Sequence, residues 1–286
     1  DLMSTNSLRH QLSASRSKLE AMGTGSTFKA IGKKALSDFA VAIYPKSEQE
    51  AIEYQLDCVA AQIKAANNQL IRFDTLVKSR FIEMFGDTYQ NTMNWANCRL
   101  GGLISFMTSG SRGWAKYYSD HGGYFLTIKN VRKCKIDLSN VQHVVAPEGK
   151  ESARTKVQEN DVLISITADL GRTGVVTKEI ADYGAYINQH LACIRLIDNS
   201  VDPVFLSHYL ESPGGIDQFA KKNQNGVKAG LNFDLIRSLE IQMPPLALQQ
   251  EFAAFVAQVD KLRFATQQQI DKLETLKKSL MQEYFE

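Results

Sequence analysis

The sequence predicts an α+β fold, with one globular domain of short strands and a few helices between two long helices that form an antiparallel coiled coil. Two helical patterns of about 40 residues each recur at an offset of 200 residues. Between them, short β-branched runs alternate with turn residues, which is typical of strands. Neither long pattern contains Gly or Pro after its opening prolines, so both are expected to be unbroken.

The first helix is predicted over residues 46–86 and carries a heptad seam. Apolar residues recur at steps of three and four, with one interruption at Arg80: Ile52, Leu56, Val59, Ile63, Ala66, Leu70, Phe73, Val77 and Met84. A helix of this length, roughly 60 Å, must bury its apolar stripe against a partner. Its own repeat is the natural partner, and two helices of an ordinary bundle are the alternative.

The second helix is predicted over residues 244–286. Its seam is interrupted at Arg263, Thr266 and Lys277. Laid over each other without a gap, the two copies share these residue pairs: Pro45/Pro245, Gln49/Gln249, Val59/Val259, Ala65/Ala265, Gln69/Gln269, Thr75/Thr275, Leu76/Leu276, Lys78/Lys278, Ser79/Ser279, Glu83/Glu283 and Phe85/Phe285. Two copies around a non-repetitive block exclude a solenoid.

The block at residues 87–243 is predicted to be one complete domain, of ordinary domain size. It begins with a turn-rich linker at residues 87–100. The predicted strands lie at residues 103–106, 124–128, 141–145, 161–166, 174–177, 191–196 and 239–243. A helix is predicted over residues 203–210 and is expected to extend past Pro213 to residue 222.

Residues 1–45 are predicted to be the C-terminal remnant of a first domain of the same kind. Residues 8–22 are helix-like and correspond to 204–222. Residues 39–43 are predicted to be a strand equivalent to 239–243, and residues 25–28 stand where 225–228 stand in the second copy. The chain starts at Asp1 without an initiator Met, which predicts a fragment or a processed product and not a signal peptide.

Composition excludes several classes of protein. A net charge of +2 makes nucleic-acid binding by the whole surface unfavourable, so local patches must carry it. The four cysteines form no C-x-x-C pair, which argues against zinc and favours a reducing cytoplasm. No apolar run is long enough for a membrane span. The common nucleotide, hydrolase and metalloprotease motifs are absent from the sequence.

The strongest candidate for DNA contact is the loop at residues 109–118. Residues 111–135 contain six Lys or Arg and a single acidic residue, Asp120. Basic loops with aromatic residues suit phosphate contacts, and Arg, Asn and Gln suit base edges. An exposed loop around a core Trp is the alternative. The candidates here are Ser111, Arg112, Trp114, Lys116, Tyr117, Tyr118, Lys129, Asn130, Arg132 and Lys133.

Further candidates lie in three shorter segments. Two follow or precede a predicted strand, and the third lies at the C-terminal end of a predicted helix. They are Thr167, Arg172, Asn188, Gln189, Lys221, Lys222, Asn225 and Lys228. For the first two segments a hydrogen-bonded turn is the alternative, and for the lysines it is compensation of the helix dipole.

Asp137, Glu148 and Lys150 have the loose spacing of a metal-dependent nuclease. Such spacing is common by chance, and the segment around Pro147 is turn-like. We therefore predict no catalytic residue and no metal site in this chain, with a metal-dependent nuclease and a coiled-coil protein-interaction adaptor as alternative functions.

Taken together, these residues resemble the DNA-specificity subunit of type I restriction-modification systems. The resemblance rests on the Gly-Ser-Thr-Phe turn at 25–28, the two Pro-x-x-x-Gln helix starts, the paired long helices and the ending at residues 278–285. It implies two target-recognition domains held apart by the coiled coil, each reading one half of a split site in double-stranded DNA.

The resemblance also implies partners and cofactors. Methyltransferase subunits would bind the two helices and bring S-adenosylmethionine and the catalytic residues. A restriction and translocase subunit would add ATP and Mg²⁺, and this chain would bind no cofactor itself. Only one recognition domain is complete here. The chain is therefore a shortened subunit, a natural half-subunit that pairs with itself on a palindromic split site, or a chain completed by another polypeptide.

Overall fold

The computed structural model describes residues 2–24, 30–223 and 230–285. The helices in this part are α1 (Thr5–Ala14), α2 (Arg16–Met22), α3 (Lys33–Ser37), α4 (Lys46–Phe85), α5 (Lys150–Thr155), α6 (Lys178–Tyr183), α7 (Pro203–Leu210), α8 (Pro213–Asn223), α9 (Phe233–Arg237) and α10 (Leu246–Phe285). The strands are β1 (Ala96–Arg99), β2 (Ile104–Ser109), β3 (Tyr118–Ser119), β4 (Gly123–Leu126), β5 (Val131–Arg132), β6 (Lys135–Ile136), β7 (Gln142–Val144), β8 (Val162–Ser165), β9 (Thr173–Val175), β10 (Ala185–Ile187), β11 (Leu191–Leu196) and β12 (Glu240–Met243).

The chain forms two compact units, one of residues 1–76 with 258–286 and the other of residues 77–257. We call the first the helical unit and the second the recognition unit. The predicted α+β class with two long helices is confirmed, and α4 and α10 each span 40 residues at an offset of 200. Among the described residues, no helix combines the length and the apolar character that a membrane crossing requires.

Within the helical unit, α4 and α10 run antiparallel and bury their seams against each other. Arg263 donates to Asp74 at 2.5 Å, and the Tyr284 hydroxyl donates to Gln55 at 2.7 Å. Buried seam residues include Ile52, Leu56, Val59, Ala66, Phe73, Val259, Thr266 and Ile270. Arg263, an interruption of the predicted seam, is accommodated because its guanidinium also lies 5.8 Å from the centre of the Phe73 ring.

Gln49 and Gln249 perform the same task in the two copies of the repeat. Gln49 accepts a hydrogen bond from the backbone N–H of Ser4 at 3.1 Å, and Gln249 accepts one from Asp202 at 2.9 Å. Ser4 and Asp202 are the N-caps of α1 and α7. Gln49 of α4 therefore fixes the start of α1, and Gln249 of α10 fixes the start of α7. In both copies the fixed helix begins about 40 residues before the long helix.

The recognition unit contains two four-stranded sheets. One is antiparallel, in the order β2-β11-β8-β9, and the other is mixed, in the order β10-β4-β7-β3 with β10 and β4 parallel. Side chains of both sheets form a buried cluster that includes Leu126, Leu163, Ile187 and Leu191, and Val131 of β5 belongs to the same cluster. β1 pairs with β12, and β5 pairs with β6 in a hairpin.

The ends of the long helices within the recognition unit form an aromatic cluster. Phe81 and Phe85 pack against each other and against both Phe252 and Phe205 of α7, with ring centres 4.8–5.8 Å apart. His208 lies 5.1 Å from the Phe252 ring. Burial lowers the pKa of His208 to about 3, because the charged imidazolium would lose its hydration here.

Each predicted strand of the recognition unit has an observed counterpart, but three other expectations are wrong. The predicted helix to residue 222 is two helices, interrupted at Glu211 and Ser212. The linker at 87–100 contains β1, which pairs with β12. Residues 39–43 form no strand, since no described segment pairs with them. The Gly-Ser-Thr-Phe turn at 25–28 lies outside the described residues.

Candidate nucleic-acid interface

The loop after β2 packs tightly against the segment after β10. The Ser111 N–H donates to Ile187 O at 2.9 Å, and the Gln189 N–H donates to Ser111 O at 3.0 Å. A Cβ on Gly110 would lie 2.1 Å from Ile187 O, so only glycine permits this approach. This packing brings two predicted DNA contacts together, because Arg112 donates a side-chain hydrogen bond to Gln189.

A chain of polar side chains continues from this pair. The amide nitrogen of Gln189 lies 3.2 Å from Nε2 of His190, and Nδ1 of His190 lies 2.9 Å from the Thr167 hydroxyl. Asn188 is held beside them, since its side-chain oxygen accepts from the His190 N–H at 3.1 Å. This hydrogen-bonded series of side chains joins the segments at residues 109–113, 166–172 and 187–190, and we call it the polar relay.

Glu211 ties the turn at residues 166–172 to the β5–β6 hairpin. Its Oε1 accepts from the N–H of Cys134 at 3.1 Å and from the N–H of Thr173 at 2.7 Å. This single carboxylate therefore holds the hairpin tip, with Lys133, beside the start of β9, which follows Arg172 directly. We call it the Glu211 clamp.

The cations on these two segments are exposed and partly ion-paired. Arg172 contacts Asp169 at 3.0 Å, and Arg132 pairs with Asp137. Lys133 is exposed at the hairpin tip, where its φ is +53°. Exposed ion pairs contribute little stability. Breaking them so that Arg132 and Arg172 bind a phosphate would therefore cost little free energy.

Asp137 is one of the three residues whose spacing raised a metal-dependent nuclease as an alternative, and its carboxylate accepts hydrogen bonds from its neighbours. Hydrogen bonds from Ser139, with a further contribution from Arg132, lower the pKa of the Asp137 carboxyl to about 2. The Ser139 N–H donates to it at 2.9 Å. Over the described ranges, no group of three or more His, Cys, Asp or Glu side chains is arranged to hold a metal ion.

Three predicted DNA contacts are buried and serve the architecture instead. Trp114 is 3% exposed and stacks on Phe125, with ring centres 5.8 Å apart. Asn130 accepts from the Thr127 N–H at 2.9 Å and donates to Asp137 O at 2.9 Å. Ser111 is 2% exposed. These three side chains stay buried, because each already has its packing or hydrogen-bond partners in the interior.

Other predicted contacts are exposed around the same loops. Lys116, Tyr118 and Lys129 are exposed, and Tyr117 is half-buried. The Lys116 ammonium lies 5.0 Å above the Tyr117 ring, a geometry that favours a cation–π contact. The 3₁₀ turn that carries Lys116 and Tyr117 is anchored by the buried Trp114.

The lysines of α8 form a separate group. Lys221 pairs with Asp217 at 2.7 Å, and its ammonium lies 5.4 Å from the Tyr89 ring. The helix packs closely against the turn at 166–172, as Gly171 shows. A Cβ added to Gly171 would lie 2.4 Å from the Phe219 ring. Lys222 lies in α8, but its side chain is outside the described part, as are Asn225 and Lys228.

Sequence reasoning missed Arg154 and Glu211 at this interface, and it placed His190 in a hydrogen-bonded turn. Arg154, on the unpredicted helix α5, donates to Ser109 O at 2.6 Å and adds a cation beside the first loop. Glu211 and His190 connect the loops. The helix-forming run after Gly149 is a signal for α5, whereas Glu211 contacts residues 38 and 77 positions away and carries no local signal.

Comparison with known proteins gives one consistent relationship. Residues 93–275, more than half of the chain, match the family model described as type I restriction modification DNA specificity domain. The EcoBI specificity subunit of Escherichia coli is 21% identical over 87% of this chain and 57% of its own length. The StySPI specificity subunit of Salmonella potsdam is 22% identical over 98% and 64%. The chain therefore spans about three fifths of these relatives.

Solved structures with a similar fold come from the same systems. The type I restriction-modification S subunit from M. genitalium matches with a TM-score of 0.59 at 14% identity, over 98% of this chain and 72% of that one. A chain from a structural study of assembly and conformational transition in a type I R-M system matches with a TM-score of 0.54 at 18% identity, over 98% and 68%. At these identities the likeness concerns the fold.

Proposed function

The chain belongs to the type I restriction-modification DNA specificity family, and from that premise we propose that its recognition unit reads one half of a split double-stranded DNA target. The single observation that carries the proposal is the polar relay. It joins Arg112, Gln189 and Thr167, three predicted DNA contacts from three separate segments, through His190.

The side chains at the relay suit base reading. An Arg guanidinium can donate to both acceptors of a guanine edge, and Asn or Gln can pair bidentately with adenine. Arg112 is exposed, and Asn188 and Gln189 are half-buried beside it. A side chain held by a neighbour loses less conformational entropy when it meets a base edge, so the relay would sharpen discrimination.

The surrounding cations suit the phosphate backbone. Lys116, Lys129, Arg132, Lys133 and Arg172 lie in exposed positions around the relay loops. Such contacts supply affinity and register without reading sequence, and they make binding depend on salt. Since the whole chain carries a net charge of only +2, this local concentration of charge is what DNA binding requires.

The long helices would dock methyltransferase subunits. Leu76 and Leu276, shared by the two copies, are 46% and 47% exposed, although both are large apolar residues on long helices. Thr75 and Thr275 beside them are also shared and exposed. An apolar residue kept outside the seam in both copies fits a protein contact made twice.

The chain would thus act as the non-catalytic specificity subunit of a multi-subunit enzyme in the cytoplasm. S-adenosylmethionine would be bound by the methyltransferase subunits, and ATP and Mg²⁺ by the restriction and translocase subunit. The proposed boundaries are a first-domain remnant to residue 45, spacer helices at 46–86 and 244–286, and the complete reading domain at 87–243.

Selection from a randomised duplex pool tests the proposal. The purified chain, alone and with its methyltransferase subunit, is incubated with the pool at moderate salt, and bound duplexes are sequenced. One short motif should be enriched by the wild-type chain, and the Arg112→Ala variant should lose it. Uniform recovery of all sequences by both proteins would contradict sequence reading.

A further inference from the structure

The polar relay has a fixed direction. A guanidinium can only donate hydrogen bonds, so the bond from Nε of Arg112 turns the side-chain oxygen of Gln189 towards Arg112 and the amide nitrogen away from it. That nitrogen can only donate in its turn, and it lies 3.2 Å from Nε2 of His190. Nε2 of His190 is therefore the acceptor of the second bond, and the first bond of the relay determines the second.

The direction continues to the far end of the relay. Because Nε2 of His190 accepts a hydrogen bond, the ring hydrogen lies on Nδ1. Nδ1 lies 2.9 Å from the Thr167 hydroxyl, so its hydrogen is donated to the hydroxyl oxygen. The hydrogen of the Thr167 hydroxyl itself has no acceptor among the described residues. The relay thus ends in a donor that is free to bind a ligand.

Asn188 is oriented in the same way, and it lies beside the relay. Ser111, which precedes Arg112, forms a β-bridge with Asn188. The side-chain oxygen of Asn188 accepts from the backbone N–H of His190 at 3.1 Å, and a backbone N–H can only donate, so the amide nitrogen lies on the other side. In the part of the chain that the structure describes, this nitrogen has no acceptor. Both of its hydrogens are available to a ligand.

The side-chain groups that remain free at the relay are donors. They are the terminal guanidinium nitrogens of Arg112, the second N–H of the Gln189 amide, the amide nitrogen of Asn188 and the Thr167 hydroxyl. Each of the two amide oxygens already accepts a hydrogen bond inside the protein. Asp169 is the only acidic residue of the three relay segments, and its carboxylate is paired with Arg172 at 3.0 Å. A ligand that fits this surface must therefore offer acceptors.

We propose that the relay and Asn188 read an acceptor-only stretch of one DNA strand: a guanine bound by Arg112 and, next to it, a guanine or thymine bound by Asn188. On the major-groove edge, guanine offers the acceptors N7 and O6, and thymine offers O4. Adenine and cytosine each present an amino donor there, which would face the donors of the relay without a partner. This assignment rests on the proposed function, in which the relay contacts DNA.

The orientation of the two amides is what disfavours adenine. Asparagine or glutamine pairs with adenine by donating to N7 and accepting from N6 with the same amide. In Gln189 the accepting oxygen is held by Arg112, and in Asn188 it is held by the His190 N–H. The adenine amino group would therefore meet no free amide oxygen at the relay. Residue type alone leaves adenine open for both side chains, and the direction of the hydrogen bonds removes it.

Selection from the randomised duplex pool provides the first test. The wild-type motif should contain a guanine at the position where Arg112→Ala relaxes selectivity. On the strand of that guanine, the position that Asn188→Ala relaxes should be its neighbour and should be guanine or thymine. An A·T pair at the first position, or adenine or cytosine at the second, would overturn the assignment while leaving the reading of DNA intact. Uniform recovery of all sequences would contradict the proposed function and the assignment together.

Base analogues test the acceptors on the wild-type chain. In the selected duplex, 7-deazaguanine at the Arg112 position removes N7 and should weaken binding about tenfold, since a hydrogen bond to a charged donor is lost. Inosine at the same position is the matched control. It keeps N7 and O6 and lacks only the minor-groove amino group, so the affinity should change less than about twofold. Equal affinities for the guanine and 7-deazaguanine duplexes would overturn the assignment.

Asn188→Asp changes one group of this surface from a donor to an acceptor. One carboxylate oxygen can still accept from the His190 N–H, and the other replaces the amide nitrogen. The selected base at this position should change to cytosine or adenine, whose amino groups donate. Asn199→Asp, at an exposed asparagine outside the relay segments, adds the same charge and should keep the wild-type motif. An unchanged base in Asn188→Asp, or the same change in both variants, would contradict the assignment. If Asn188→Asp binds no duplex, the base analogues on the wild-type chain decide.

Discussion

The guanidinium of Arg112 donates a hydrogen bond to the side-chain carbonyl of Gln189, which lies 77 residues further along the chain. The sequence predicts both as DNA contacts, but in unrelated segments. The packing of Gly110 against Ile187 makes the pair, because it leaves no room for a side chain between the loops. Base reading is therefore expected to depend on two loops acting together.

Arg112 and Lys116 are expected to act differently although both are exposed cations of one loop. Arg112→Ala should cost about 1–3 kcal/mol at one base position and relax selectivity there. Lys116→Ala should weaken binding to all sequences and reduce the slope of log K against log salt by about one. Titrations of selected and scrambled duplexes at several salt concentrations measure both. Unchanged motif and affinity in both variants would rule out this loop.

Removing the Glu211 clamp should destabilise the recognition unit and weaken DNA binding together. Glu211→Ala leaves the N–H groups of Cys134 and Thr173 without their acceptor, which costs about 1–3 kcal/mol of the free energy of unfolding. DNA affinity should fall because Lys133 and Arg172 lose their fixed positions. Denaturant unfolding and duplex titration check the two effects. Glu148→Ala, at an exposed glutamate, is the control, and an equal loss there would contradict the clamp.

Lys221 and Lys178 form a matched pair for testing α8. Each makes an exposed ion pair with an aspartate four residues away, at 2.7 Å and 2.8 Å, so their stability contributions should be similar. If α8 contacts phosphate, Lys221→Ala lowers the salt slope by about one, and Lys178→Ala leaves it unchanged. The same slope for both variants would indicate that Lys221 only compensates the helix dipole.

His208 should make stability depend on pH in the acid range. Its pKa is lowered by burial to about 3 in the folded chain, against about 6.5 when unfolded. Between these values the unfolded chain binds a proton that the folded chain does not. Stability is therefore fully present above about pH 6.5 and is lost as pH falls towards 3, by up to about 1.4 kcal/mol per pH unit.

Denaturant unfolding between pH 7 and pH 4 measures this loss. His208→Leu should flatten the profile over that range, because the titrating group is gone. His121→Leu serves as the control, since the His121 side chain is 76% exposed, and it should retain the wild-type slope. A wild-type slope in His208→Leu would assign the acid sensitivity to other groups.

Local patterns predict much of this fold. The alternation of three- and four-residue steps from Ile52 to Val77 predicts α4, and the β-branched runs predict β8 and β11. Residues 39–43 have a comparable pattern but form no strand, because a strand needs a partner that pattern does not reveal. The pattern predicts that Arg263 interrupts the seam. In the structure it is accommodated in the seam by its contacts with Asp74 and the Phe73 ring.

The candidate site is less predictable because its key contacts are long-range. Residue type and charge point to Arg112, Gln189 and Arg172, but burial sends their neighbours Trp114 and Asn130 into the interior. Whether an aromatic residue or an amide faces DNA depends on which side of a turn it occupies. No local signal encodes the position of Glu211, which is set by the helix break after α7.

The most direct test of the central claim is a comparison of the motifs selected by the wild type, Arg112→Ala, Gln189→Ala and the double variant. If the relay reads DNA as one unit, both single variants relax the same or an adjacent base pair. The double variant is then little worse than either single one. Relaxation at unrelated positions with additive losses, or motifs unchanged in all three variants, would contradict the claim.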